Sequence, residues 1–301
     1  MLSMKSLTRL AGAPVLTAVL TSMCWWSLAS AAPGLIQIKG SDTMVNLGQA
    51  WAEAFMQQHP DVSIAVTGGG SGTGIAALIN GTCDIAQSSR EITPHETELA
   101  GRQGHQVFGY PVAIDALAVV VHSSNTVSSL TLDQLSQMFS GRITNWKEVG
   151  GADQPILLLS RERNSGTHVY FLEHVVRRGE AKSPLEFAAE ALMLPSSQSI
   201  VEEVAASRGA IGYVGIGYVT PALKVLAVAS SGGAEAVHPG IEETISGRYP
   251  IARPLLFFMP SLPDGSLKQF IEFVLSDEGQ AVVQEMDFVP LPADQRRLVV
   301  S

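Results

Sequence analysis

The run Ala116-Leu117-Ala118-Val119-Val120-Val121-His122 carries no polar side chain until its last residue. Its three successive β-branched residues favour a strand, and a strand apolar at odd and even positions alike must be buried on both faces. A sheet is covered on both faces when helices pack above and below it, so this run predicts an α/β fold.

The rest of the chain has the matching rhythm. Short apolar runs at 35–40, 62–66, 84–87, 156–159, 210–214 and 249–259 read as strands. Between and after them, helical patterns fall at 45–58, 75–80, 94–102, 132–139, 167–177, 200–206, 266–274 and 277–285. In the first of these, Leu47, Trp51, Ala54 and Phe55 share one face. The alternation predicts a mainly parallel sheet with flanking helices in each of two lobes. The expected division is 32–113 with 250–301 as lobe I and 114–249 as lobe II, joined by hinge crossings near 113 and 250. Trp51 and Trp146 read as packing residues of these lobes.

Residues 1–31 have the layout of an export signal: Lys5 and Arg9, then an apolar run from Leu10 to Leu28, then Ala29-Ser30-Ala31. Cleavage there would leave an exported, periplasmic chain. Bulky Met23 before Cys24 argues against a lipidated cysteine, and Cys83 would be the one thiol left, so no internal disulfide is expected. Losing Lys5 and Arg9 leaves 17 basic residues against 28 acidic ones, a formal charge of −11. Such a balance speaks against a nucleic-acid partner, but a small anion buried among local donors remains open.

The chemistry concentrates at four strand-to-helix corners. They are Gly40-Ser41-Asp42-Thr43-Met44, Gly68-Gly69-Gly70-Ser71-Gly72-Thr73-Gly74, Gln87-Ser88-Ser89-Arg90 and Ser160-Arg161-Glu162-Arg163-Asn164-Ser165-Gly166-Thr167. A helix start presents unpaired N–H groups and a partial positive charge, glycine lets an anion approach the backbone, and hydroxyls and guanidinium groups add donors. Ligands of α/β sheets bind beyond the carboxyl ends of strands, where all four corners fall. Each corner alone also reads as an ordinary helix cap or solvated turn. The glycine-rich loop lacks the Gly-Lys-Ser/Thr of a nucleotide P-loop. Its Gly72-x-Gly74-x-x-Ala77 fits a dinucleotide turn only loosely, because Ser88-Ser89 stand where an acidic residue is wanted. The seven histidines are scattered without metal-ligand spacing, and His168 reads as a surface helix residue.

Taken together, GSDTM, GGGSGTG, DIAQSSR, SRERNSGT, GAIGYVGIGYV and YPIARPLLFF occur in the order found in the periplasmic phosphate-binding family of ABC importers, and the chain resembles that family over residues 35–290. The resemblance implies a two-lobe, type II periplasmic-binding fold closing over inorganic phosphate, without catalysis or cofactor, that acts as a monomer and delivers its ligand to an ABC-transporter permease. Carried over by residue, phosphate would be held by Thr43, the Met44 backbone and Ser71 from one lobe and by Arg161, Ser165, Gly166 and Thr167 from the other. Ser89 and Arg90 at the third corner join them, with Ser41, Asp42, Gly70 and Gly72 as secondary candidates. Well-known members carry an aspartate at the third corner to accept the proton of hydrogen phosphate. Here Arg90 cannot accept one, and Asp42 is the substitute expected. Another oxyanion (sulfate, arsenate or molybdate), a secreted phosphatase of the same fold, or an adhesive or sensory role are the competing readings.

Overall fold

The computed structural model describes residues 34–296, so the expected export signal and Cys24 lie outside the described residues. The first part of the chain runs β1 (Gly34–Gly40), a short turn of 3-10 helix (Asp42–Met44), α1 (Val45–Gln58), β2 (Val62–Thr67), α2 (Ser71–Ile79), β3 (Ile85–Ser88) and α3 (Pro94–Arg102). A long strand β4 (Phe108–His122) follows, then β5 (Ser129–Thr131), α4 (Leu132–Phe139), β6 (Leu157–Arg161) and α5 (Gly166–Phe171), which continues as one π turn to Val176. The chain closes with β7 (Leu192–Leu194), α6 (Ser197–Ala206), β8 (Ala210–Gly215), β9 (Leu223–Val225), β10 (Ala227–Ala229), α7 (Ile241–Ile245), β11 (Ala252–Met259), α8 (Gly265–Leu275) and α9 (Asp277–Glu285).

Local signals explain where several helices begin. Thr93 caps α3 in a reciprocal box with Glu96, Pro94 takes the first helical position, and Thr131 with Gln134 does the same for α4. The apolar stripe of α1 packs inward: Trp51 donates from Nε1 to the Gly279 carbonyl at 2.7 Å, and Phe55 meets Phe270 edge-on. Trp146 is likewise a core residue, donating to the Gly209 carbonyl at 2.9 Å.

Nine strands form one sheet in the order β2-β1-β3-β11-β4-β8-β6-β7, with β9 also on β4, while β5 and β10 pair separately. The expected mainly parallel sheet is parallel at both flanks, β1 with β2 and β3, and β6 with β7 and β8. Its centre is antiparallel, because β11 returns between β3 and β4, and β4 runs opposite to β8 and β9.

The crossing expected near residue 113 falls inside β4, which is continuous for 15 residues. Upstream of the apolar run, Gly109, Pro111 and Asp115 obscured the strand. Pro111 has no N–H to give, and beside it the register to β11 skips Val112 between Leu255 and Leu256, a bulge next to the residue that cannot donate. Residues Phe108–Ala116 of β4 pair with β11, and from Leu117 onward the strand pairs with β8 and β9. This change of partner puts the carboxyl ends of β1, β2 and β3 beside that of β6. Those ends carry the four corners.

Candidate anion-binding site

The corners meet, and their hydroxyls bond to one another. Ser41 Oγ donates to Ser89 Oγ at 3.0 Å, and Ser71 Oγ lies 3.3 Å from Ser89 Oγ while accepting the Ser89 amide at 3.0 Å. From the other flank of the sheet, Thr167 Oγ1 reaches Thr43 Oγ1 at 2.8 Å although 124 residues separate them. All of these side chains are buried, as are Ser165, Gly166 and Met44.

Glycine lets the corners come this close. Gly70, at φ +91°, is the residue before α2, and a Cβ there would stand 2.7 Å from the Asn164 carbonyl oxygen. At Gly166 a Cβ would lie 2.3 Å from Ser71 Oγ and 2.8 Å from Ser89 Oγ. The loop before α5 is tied to the start of α2 by two hydrogen bonds, Gly72 N–H to the Asn164 carbonyl at 2.9 Å and Asn164 Nδ2 to the Gly69 carbonyl at 2.8 Å. The helix begins four residues before the expected position, so that most of the glycine-rich loop is its first turns.

Ser165 caps α5, accepting the amides of Thr167 at 3.2 Å and His168 at 3.4 Å. A hydroxyl that accepts from amides keeps its own proton for another acceptor. Arg161 ends β6 fully buried, donating to Ser197 Oγ and the Pro195 carbonyl at 2.8 Å each and lying 3.2 Å from Asp42 Oδ2. Burial lowers the Arg161 pKa, the Asp42 carboxylate opposes that, and the guanidinium stays charged. Asp42 Oδ2 also accepts the Ser197 amide at 2.7 Å.

Arg90, Met44, Gly70 and His168 sit differently from the expectation. The Arg90 guanidinium makes no hydrogen bond to the clustered hydroxyls, because Glu96 holds it in a two-pronged pair at 2.7 and 2.8 Å. The Met44 amide is spent on the Ser41 carbonyl at 3.1 Å, and the Gly70 amide on the Gly40 carbonyl at 2.9 Å. His168 is buried rather than exposed, its ring against Phe187 and its Nδ1 3.4 Å from Ser160 Oγ, and burial lowers its pKa.

A family model described as a PBP superfamily domain matches residues 27–278. The phosphate-binding protein PstS of Pseudomonas aeruginosa is 34% identical over 282 residues, covering 88% of this chain and 85% of that protein. PstS of Bacillus subtilis is 32% identical over 261 residues, covering 86% and 82%. The chain belongs to the PstS family of phosphate-binding proteins. The crystal structure of a phosphate ABC-transporter substrate-binding protein from Clostridium perfringens with bound phosphate aligns with a TM-score of 0.77 at 33% identity, covering 86% of this chain and all of that one. A phosphate transport receptor from Vibrio cholerae aligns at 0.68 with 32% identity, covering 85% and all of its chain. The fold is therefore the type II periplasmic-binding fold that the PstS family shares.

Two polar residues at the candidate site escaped the sequence reading. Arg253 on β11 and Asp115 on β4 are cross-strand neighbours, both buried, with Arg253 Nη2 2.8 Å from Asp115 Oδ2. Arg253 also donates to the Ser89 carbonyl at 3.0 Å and to Thr167 Oγ1 at 2.9 Å. The available signal was one arginine within Ile251-Ala252-Arg253-Pro254-Leu255 and one aspartate before the apolar run of β4, since a charge inside an apolar strand must be paired.

Proposed function

We propose that the mature chain is an exported receptor that captures inorganic phosphate between lobes 32–113 with 250–301 and 114–249, and delivers it to an ABC-type permease. One observation carries this reading: in a PstS-family chain, Thr43 and Thr167 from opposite flanks of the sheet touch hydroxyl to hydroxyl at 2.8 Å, amid Ser41, Ser71, Ser89 and Ser165. A tetrahedral oxyanion inserted there would take donors from both flanks, so the ligand itself would favour the closed state. Arg161 supplies charge, while the Ser71, Ser165 and Thr167 hydroxyls supply the short directional donors.

Each hydroxyl of the cluster bonds to another hydroxyl, an amide or a guanidinium, and none to a histidine or carboxylate. A phosphatase needs a nucleophile activated by such a base or by a metal, so the wiring favours a receptor. For the proton of hydrogen phosphate, Asp42 is the acceptor. Its Oδ2 is engaged by Arg161 and Ser197, while its Oδ1 faces Gly68 and makes no hydrogen bond among the described residues.

A ligand screen by thermal unfolding tests the reading. Phosphate in large excess is expected to raise Tm by several degrees, following the mass-action stabilisation of about 2.7 kcal/mol at a hundred-fold excess over Kd. Sulfate and molybdate should shift it less. A chain that no oxyanion stabilises is not a phosphate receptor.

A further inference from the structure

The geometry points to Arg253 as a second guanidinium of the anion site that acts through Thr167, with Asp115 holding it in place where β4 changes partners. This role rests on the phosphate-receptor reading above.

Arg253 and Asp115 face each other across β11 and β4, one residue before β4 leaves β11 for β8. Both side chains are at most 1% exposed. Asp115 Oδ2 accepts from Arg253 Nε at 3.2 Å and Nη2 at 2.8 Å, while Oδ1 accepts the Ile216 amide at 3.1 Å. Burying an ion pair gains little over well-packed apolar residues of the same volume, so stability alone gives no reason for charge here. The remaining donors supply one. Nη1 reaches the Ser89 carbonyl at the third corner, and Nη2 reaches Thr167 Oγ1 at the fourth. A single guanidinium thus touches both flanks of the site from below.

The bond to Thr167 fixes what that hydroxyl can do. Its oxygen accepts from a cation, so its proton turns away from Arg253 and toward the Thr43 side, where an anion would lie. Thr167 becomes a committed donor, and the positive charge behind it strengthens the bond it gives. Because buried Asp115 offsets Arg253 as half-buried Asp42 offsets Arg161, the four charges cancel. The site therefore binds through oriented donors rather than through a net positive cavity.

Arg253 is a positioning residue, and a double-mutant cycle with Thr167 tests it by calorimetric titration with inorganic phosphate. In the otherwise wild-type chain, Arg253→Gln should weaken phosphate binding about ten-fold or more. In a Thr167→Val background, where the path is already cut, the same change should cost less than about three-fold. Equal losses in both backgrounds, or a Kd unchanged by Arg253→Gln, overturn the role. If Arg253→Gln does not fold because Asp115 is left unpaired, the double variant Arg253→Met with Asp115→Leu removes both charges together. A folded double variant that binds phosphate about ten-fold more weakly or worse supports the role, and one that binds as the wild type does overturns it. A wild type that binds no phosphate would remove the receptor reading first, and this role with it.

Discussion

His168 lies beneath the candidate anion site with its ring on Phe187 and its Nδ1 near Ser160, where burial outweighs the Arg161 backbone and the Glu186 carboxylate that favour an imidazolium. Burial puts its folded pKa below the ordinary 6.5, so above that value both folded and unfolded chains are neutral there and stability is complete. As pH falls below 6.5 the unfolded chain takes up the proton first, and stability is lost until the folded pKa is reached. Urea unfolding between about pH 5 and 8 should show this slope, at most about 1.4 kcal/mol per pH unit for one proton, and His168→Gln should flatten it. An equal slope in the variant would place the proton elsewhere. Residues of this kind explain what single-sequence reading misses. The hydroxyls of SRERNSGT announce themselves by type and by position after a strand. Arg253 and Asp115 do not, because their roles depend on which strand lies beside theirs, and neither does His168, whose burial depends on Phe187 packing against α5.

At the scale of elements, α5 and α2 begin in contact, and glycine sets the distance between them. A methyl group at residue 166 would stand 2.9 Å from Ser71 Cβ as well as against two hydroxyl oxygens, so Gly166→Ala must push the start of α5 away from α2 and the end of β3. Phosphate affinity is expected to fall about ten-fold or more, the equivalent of one or two lost charge-assisted hydrogen bonds, while circular dichroism stays that of the wild type. Unaltered affinity would mean that the two helix starts do not share a ligand. Element boundaries were legible at α1, α3, α4 and α9, which stand at the residues their patterns implied, whereas α6, capped by Ser196, begins three residues before the expected position. The short strands β5, β7, β9 and β10, three residues each, were not, since three residues carry no period and their pairing is decided by distant partners. The first turns of α2 were hidden by glycines that usually mark a loop.

For the whole molecule, the α/β class followed from a strand apolar on both faces, and the position of the candidate site followed from the rule that ligands gather at strand ends. The antiparallel centre of the sheet did not, because β11 enters it from a segment some 130 residues after its neighbour β4 ends. That insertion delivers Arg253 to the cluster, and the partner change in β4 brings the two flanks together over it. The account requires donors from both flanks to hold one oxyanion. Phosphate titration calorimetry on Thr43→Val, from the first flank, and Ser165→Ala, from the second, measures this directly. Each is expected to raise Kd about ten-fold or more with one phosphate still bound per chain. If both variants bind phosphate as tightly as the wild type, the anion is held somewhere else.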